Sequence, residues 1–520
     1  MTDTSASATV SPPAAQPHLF SAGLVLPVVM LGTFLSVLDS TILNVALPYV
    51  MASFSSDVDH AKWITAGLFL GATVSMPLSG WLSQRFGNGA VYIAALAVFT
   101  GGAVFSSMAW TLNVLIAARV IQGLAAGLIQ PTSVAILTQA YPPNMRGRVF
   151  GIWSIGQMTA PSLGPAAGGV IIETIDWRAI FVLSAGVGVL ALLMAMAVLD
   201  RKHDKEVRQF DWPGYIALSF LLVVGFLIVT YGDREGWHST LIVSGILACA
   251  AAFGVLLLVE WNEPYAIMPL RLFKRADFSL AAFITVYRAL GMMAPGFLLP
   301  IFMFNVQGRA SMDVGFMLMP GAMVMASVSP VAGYLTDRFG ARWPTVFGAV
   351  LMGASLYSFH TLDESTTFWQ AARPLIIQGI GVAFVMTPII TVGMNAVGRQ
   401  DLGSASWIIN VCHRGGGAFA ITILGALLAR ENVVLGHYLG TAPILQSTAT
   451  GILAEQARDL GFPNASAGQA ALAGALHNVG AVSSTVAFEH MFLIAALTSA
   501  TIVLPALLLG GRHLPEAHSR

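Results

Sequence analysis

Charge is scarce in this chain. Its 520 residues carry 25 Lys and Arg against 25 Asp and Glu, and the formal net charge is zero. That balance leaves no electrostatic basis for holding nucleic acid. Cysteine is scarcer still. Cys249 and Cys412 both fall inside apolar segments, which excludes a disulfide framework and suggests no metal site. No Lys or Arg precedes the first apolar run, so the Ser/Ala/Pro-rich residues 1–21 lack the basic start of a signal peptide and read as a disordered tail. Long polar stretches are missing too; after residue 20 the only one is 429–485.

What is present is apolar. The chain is 56% hydrophobic with mean hydropathy +0.76, a composition that repeated membrane spans of about 20 residues need and soluble domains do not. Fourteen apolar segments can be counted, at 22–49, 62–82, 90–110, 113–137, 148–172, 178–199, 212–231, 239–261, 278–304, 312–335, 343–360, 367–393, 403–428 and 486–510. With the N-terminus placed in the cytoplasm, fifteen Lys and Arg fall on the inner side and six on the outer; Arg119, Arg288, Arg373 and Arg414 fall inside helices. The positive-inside rule therefore sets both chain ends in the cytoplasm.

A repeat runs through this pattern. Gly80-Trp81-Leu82-Ser83-Gln84-Arg85-Phe86-Gly87 is answered by Gly333-Tyr334-Leu335-Thr336-Asp337-Arg338-Phe339-Gly340, and Gln122-Gly123 by Gln378-Gly379, at offsets of 253 and 256 residues. Near-equal offsets mark a duplication. The reading is an all-α polytopic membrane protein with a six-helix bundle over 22–200, a linker and two inserted helices over 201–277, a second six-helix bundle over 278–511 that includes the outer loop 429–485, and a cytoplasmic tail at 512–520. Parallel sequence repeats are found in transporters whose halves rock about a midplane site. In the repeated loop, Gly80 and Gly333 permit close helix approach, and Arg85 and Arg338 can cap helix ends or pair with acids; an ordinary positive-inside turn is the plainer alternative.

Asp39 is the one acid deep in a helix. At membrane depth a carboxylate costs about 2.5–3.5 kcal/mol on insertion scales, so it needs a partner or a proton; hydroxyls of Ser36 or Ser40 are the bland solution. Counted from Pro48, taken as the end of helix one, Asp39 lies about 13 Å below the outer edge, and Arg119 lies about 9 Å below it on helix four. An ion pair is possible, although sequence does not show that the helices face each other. A carboxylate that is paired in one conformation and desolvated in another changes its proton affinity between them, which proton coupling requires. Gln122 lies one turn from Arg119. In the second half Asn410, His413, Arg414 and Gly417 share a helix face, and Arg288 is buried beside Tyr287. These two arginines could meet an anionic substrate group, replace a second proton site, or simply bond backbone carbonyls. Met and aromatic residues such as Trp153, Met386 and Trp407 suit an adaptable pocket and equally suit a core. Pro161, Gly164, Pro165, Gly168 and Gly169 suggest close packing of helix five, as a fulcrum or seal between the halves or as generic packing.

Leu38-Asp39-Ser40-Thr41-Ile42-Leu43-Asn44-Val45-Ala46-Leu47-Pro48 resembles the first-helix motif of the 14-helix drug:proton antiporters of the EmrB/QacA type, within the major facilitator superfamily. Arg119-Val120-Ile121-Gln122-Gly123 looks like that family's basic-helix motif, and Ala160 to Gly169 is similar to its antiporter motif. Tyr141-Pro142-Pro143 with Arg146-Gly147, and Leu270 to Lys274, also fit, and the resemblance runs from about Leu24 to Leu509. Two departures stand out. Gln84 replaces an acid common in the superfamily, and Arg373 lies five residues before Gln378 and so does not inherit the role of Arg119.

The resemblance implies a major facilitator fold and drug:H+ antiport of small hydrophobic or amphipathic compounds across the inner membrane. Asp39 and Arg119 would carry the proton step. Asn44, Gln122, Gln157, Tyr287, Arg288, Asn410 and Arg414 would line the cavity, with Gly80, Arg85, Gly87, Gly333, Asp337, Arg338 and Gly340 in the conformational loops. The energy source would be the proton gradient, with no cofactor, metal or catalytic residue. The partners would be substrate, protons and bilayer, with a periplasmic adaptor and outer-membrane channel able to dock on 429–485. A membrane enzyme would need clustered ligands or a nucleophile with its base, and a channel a polar ring; neither pattern is present. A facilitator without proton coupling, or an exporter of one endogenous metabolite, lipid or siderophore, stays open. The topology has a direct check: a reporter fused within 429–485 should read external and one within 201–210 cytoplasmic, and the same side for both would overturn the helix count.

Overall fold

The computed structural model describes residues 19–200, 209–263, 266–307, 311–362, 366–441 and 485–510, and among these the chain is helical with no strand. Helices are the expected answer, since a spanning segment must satisfy its backbone N–H and C=O groups within itself. Polar residues mark the starts. Asp57 accepts from the N–H of His60 ahead of α2 (Val58–Ser75), and Thr111 accepts from Val114 ahead of α5 (Leu112–Ala140). Asp211 accepts from Gly214 ahead of α8 (Trp212–Glu235), and Thr367 with Gln370 forms a capping box on α13 (Phe368–Asn395). Glycine marks two stops: Gly87 and Gly340 end the two copies of the repeated loop at φ of 86° and 79°, a left-handed backbone that glycine adopts without penalty.

All fourteen apolar segments fall on helix, with three changes of boundary. Helix α1 (Leu19–Phe54) continues through Pro48 to Phe54, so the depth reckoned from Pro48 was too shallow. The second segment is broken into α2 and α3 (Leu78–Phe86), bent by 55°. Helix α14 (Leu402–Thr441) runs for 40 residues, into the stretch read as an outer loop. At 1.5 Å per residue it is about 60 Å long, more than a bilayer of about 45 Å with its headgroups accommodates. Among the described residues eleven helices are long and apolar enough to span, or twelve if α2 and α3 make one span. Two segments fall short: α12 (Arg342–Ser358) has only 17 residues, and α6 (Arg146–Thr174) is less apolar, with six glycines, four hydroxyl residues and two arginines in its 29 residues.

In the first half α1 packs on α5, α6 and α7 (Arg178–Val198), and α4 (Asn88–Ser107) lies between α5 and α7. In the second, α10 (Ala276–Asn305) packs on α13 and α14, while α13 is flanked by α12 and α11 (Ser311–Phe339). The final span α15 (Thr485–Leu508) closes on α10 and α12 through its last turns. The inserted α8 and α9 (Thr240–Asn262) lean mainly on each other. Their most apolar windows are only 11% buried, which leaves them facing lipid. Helix α8 reaches the rest through α2 and α14.

The halves meet along α6 and α11, with α14 against α3 and α5. Glycines set this contact by crossing. A methyl group at Gly147 of α6 would run into the Gly333 carbonyl on α11, and one at Gly403 of α14 would run into Gly80 on α3. Gly147 and Gly403 are 256 residues apart, the duplication offset again. Asp337 accepts from the N–H groups of Gly147 (2.7 Å) and Arg148 (2.9 Å), while Gln84 donates to the Gln400 carbonyl (2.8 Å). Each loop copy thus docks on the start of a helix from the other half. The apolar core follows suit. One cluster joins both halves at the loop end, whereas at the opposite end the first half, around Ile42, Leu115 and Phe181, and the second, around Leu298, Phe359 and Phe488, keep separate clusters.

Gly164 and Gly168 pack within one half, the generic of the two readings. Side chains there would meet Thr41 and Ile42 of α1, in the same half, and nothing lies within 4 Å of a methyl at Gly169. The contact between the halves belongs to Gly147 and to Gly151, whose added methyl would strike Ser329 on α11. Gly164→Leu and Gly168→Leu should therefore leave membrane insertion intact and destabilise the protein by about 1–3 kcal/mol each, whereas Gly169→Ala should melt as the parent does. Thermal unfolding in detergent measures this, and equal melting of all three would show that α6 does not touch α1 there.

Candidate functional site

The seat made by Gly164 and Gly168 fixes α1 beside its polar centre. Asp39 and Arg119 are both fully buried, and Arg119 Nη1 lies 2.5 Å from Asp39 Oδ2. The same nitrogen donates to Gln122 Oε1 at 2.9 Å, and Ser106 donates to that oxygen at 3.1 Å. The Phe181 ring faces the guanidinium, 5.5 Å from its centroid. A buried pair with good geometry offsets the cost of taking two charges out of water, which either charge alone would bear in full. The cluster is nevertheless incomplete: Asp39 Oδ1, Arg119 Nε and Gln122 Nε2 are buried without a hydrogen-bond partner.

A second polar group lies between the halves. Trp153 Nε1 on α6 donates to Thr33 on α1 (3.1 Å), and Thr33 shares a hydrogen bond with Ser133 on α5 (3.0 Å). Trp153 and Gln157 then face Arg288, Met386, Asn410 and His413 across a cavity of about 30 Å³, roughly the volume of one water. Arg288 Nη2 lies 3.1 Å from His413 Nδ1, and its Nη1 lies 3.6 Å from Met292 Sδ. Arginine has only donors, so Nδ1 accepts and the imidazole carries a proton on Nε2. Arg414 Nη2 donates to Gln130 Oε1 on α5 at 3.0 Å, and Ser406 donates to the Pro131 carbonyl at 2.8 Å. Both bonds cross from one half to the other. A larger cleft of about 390 Å³ opens away from these residues, between α3, α9 and the start of α14.

The structure brings Asp39, Arg119 and Gln122 into one cluster, and Gln157, Arg288 and Asn410 around one cavity. Asn410 donates to the Ser406 carbonyl (2.9 Å), and Gln157 Oε1 has no partner. Tyr287 leans on Phe283 instead of lining that cavity. The side chains of Asn44 and Pro165 lie outside the described residues, as do residues 442–484 of the expected docking loop. Arg85 and Arg338 do not pair with acids among the described residues. Arg85, in the last turn of α3, stacks on Trp81 with Phe86 also in reach, and Arg338, in the last turn of α11, donates to Tyr334. Arg373 is exposed, in keeping with its different spacing.

Two participants escaped the sequence reading. Gln130 lies on α5, eight residues past Gln122, close to the same helix face, and that spacing was the available signal. Thr33, one hydroxyl in an apolar run, gave none.

Residues 29–421 match the Major Facilitator Superfamily family model. The multidrug resistance protein Stp of Mycobacterium tuberculosis is 31% identical over 405 residues, covering 77% of this chain and 74% of that protein. The multidrug export protein EmrB of Escherichia coli is 28% identical over 401 residues, covering 76% and 77%. Among solved structures, the proton:xylose symporter XylE superposes with a TM-score of 0.57 at 15% identity, covering 93% of this chain and 96% of that one; this likeness speaks for the fold alone. With duplicated halves that meet through crossed loops, a buried ion pair on α1 and α5, and these relatives, the chain belongs to the Major Facilitator Superfamily, in its drug-efflux family.

Proposed function

We propose that this transporter exports small hydrophobic or amphipathic compounds across the cytoplasmic membrane in exchange for protons. The observation that carries the reading is the buried Asp39–Arg119 pair with its orphaned Oδ1. With Asp39 ionised, Arg119 neutralises it and ties α1 to α5. A proton on Oδ1 removes the charge that holds Arg119, so the tie loosens and the guanidinium is left to Gln122. A charge state that favours one arrangement of helices over another is what couples a proton to a two-state element. The relatives named for multidrug resistance and multidrug export support export as the direction and drugs as the cargo.

The path for substrate runs between the halves, through the Trp153–Arg288–His413 cavity. On the Lys/Arg count the loop end lies in the cytoplasm with both termini, and the conformation described is the one sealed on that side by the crossed glycines. Export then proceeds by parting of the halves at the loop end and rejoining at the other, the rocking of parallel repeats about a midplane site.

Efflux of a fluorescent dye from proteoliposomes, with and without an imposed pH gradient, tests the proposal. Asp39→Asn keeps the shape of the side chain and removes its ability to ionise. Dye binding in detergent should persist, while gradient-driven efflux falls to the level of protein-free vesicles. Arg119→Ala should lose the same step. An Asp39→Asn protein that pumps with the parent's proton dependence would place the acid elsewhere, with Glu489, 3.7 Å from His360, the next residue to replace.

A further inference from the structure

The two polar clusters differ in charge balance. In the first, Arg119 has Asp39. In the second, Arg288 is 3% exposed and Arg414 part-buried, and among the described residues neither forms an ion pair. Arg288 is held by an imidazole nitrogen and a thioether, Arg414 by an amide oxygen. The other buried acids among the described residues are engaged at the inserted pair. Asp211 accepts from Gly214 and Ile267, and Glu260 accepts from Met268. Two guanidinium groups therefore stand at mid-span on neutral partners alone, a costly arrangement unless an anion completes it.

The surroundings suit one kind of anion. Trp153, Met386, Ile390 and Ile409 give the cavity an apolar wall, and Met side chains adapt to varied shapes. The basic and ring-nitrogen groups, Arg288 and His413, come from α10 and α14, and Gln157 of α6 faces them as the polar residue of the opposite wall. Arginine's planar fork matches two oxygens of a carboxylate or sulfonate, which no thioether or ring nitrogen provides. His413 is a positioning residue here: by accepting from Arg288 it fixes the guanidinium without neutralising it. Arg414 is bonded across the halves to Gln130, so parting the halves frees its donors as the cavity widens.

We infer that the exported compound is an organic anion, an apolar body bearing a carboxylate or sulfonate, and that Arg288 and Arg414 bind its oxyanion. The inference takes the direction of movement from the export reading above; the binding of the anion stands without it.

The test uses the full-length protein in detergent and three probes of one skeleton: 2-naphthoate, 2-naphthamide and the 2-naphthylmethylammonium ion. Binding is read by quenching of tryptophan fluorescence, with Trp153 in the cavity wall. Naphthoate should bind at least about tenfold more tightly than the amide, the scale of one hydrogen bond to a charged group. Arg288→Gln and Arg414→Gln should bring the two to parity. Arg288→Lys keeps the charge and loses the fork, and should retain part of the preference; it also serves if a glutamine variant does not fold. A parent protein with no preference for naphthoate, or with one for the ammonium ion, overturns the inference, and so do glutamine variants that keep the full preference. Vesicles separate the two claims. Naphthoate that binds by this pattern but is not expelled under a pH gradient counts against export and leaves the anion site standing. Gradient-driven expulsion of the amide and the ammonium ion, with no preference for naphthoate in binding, does the reverse.

Discussion

A charge at membrane depth must be answered by protein, because no water is there to answer it. Much of this structure is arranged by that demand. Asp39 is held by Arg119, Arg119 is shared with Gln122, and Gln122 is held in turn by Ser106, so three helices are drawn together by one carboxylate. Where the demand is met only in part, at Oδ1, the chain has kept a polar atom that packing alone would have removed. In the exchange proposed above, the pair is a joint as well as a strut.

The second requirement is close approach without side chains. Two loop copies reach across to the opposite half, and at each crossing backbone meets backbone because both partners are glycine. The chemistry at the two crossings has diverged. Asp337 makes charge-assisted hydrogen bonds to the first N–H groups of α6, whereas Gln84 donates a neutral one to the chain just before α14. Charge-assisted bonds are roughly twice as strong as neutral ones. The inserted helices stand apart from this machinery and lie mostly against lipid.

The architecture was legible because membrane helices are written in long apolar runs and the duplication preserved its offset. Helix ends were less so. Pro48 is a plausible stop, yet α1 continues through it, and the loop after α14 begins as helix. The ion pair could be suspected from depth but not established, since depth gives no azimuth; the packing of α1 on α5, α6 and α7 sets which way Asp39 faces. Of the two readings open for Gly164 and Gly168, a seal between the halves or generic packing, the contacts are those of packing within one half, because a run of small residues announces a close neighbour without saying which one. Gln130 was unreadable as a cross-half partner until Arg414 was in place.

The divided core has a mechanical meaning. Among the described residues apolar packing is continuous at the loop end, and at the far end each half keeps its own cluster. Bringing the far ends together therefore asks neither half to unpack. Parting the loop ends exposes backbone and apolar surface that had been hidden in a single interior. In the rocking motion proposed above, the two strokes are thus unequal in stiffness, and the stiffer end is the one where glycine lies against glycine.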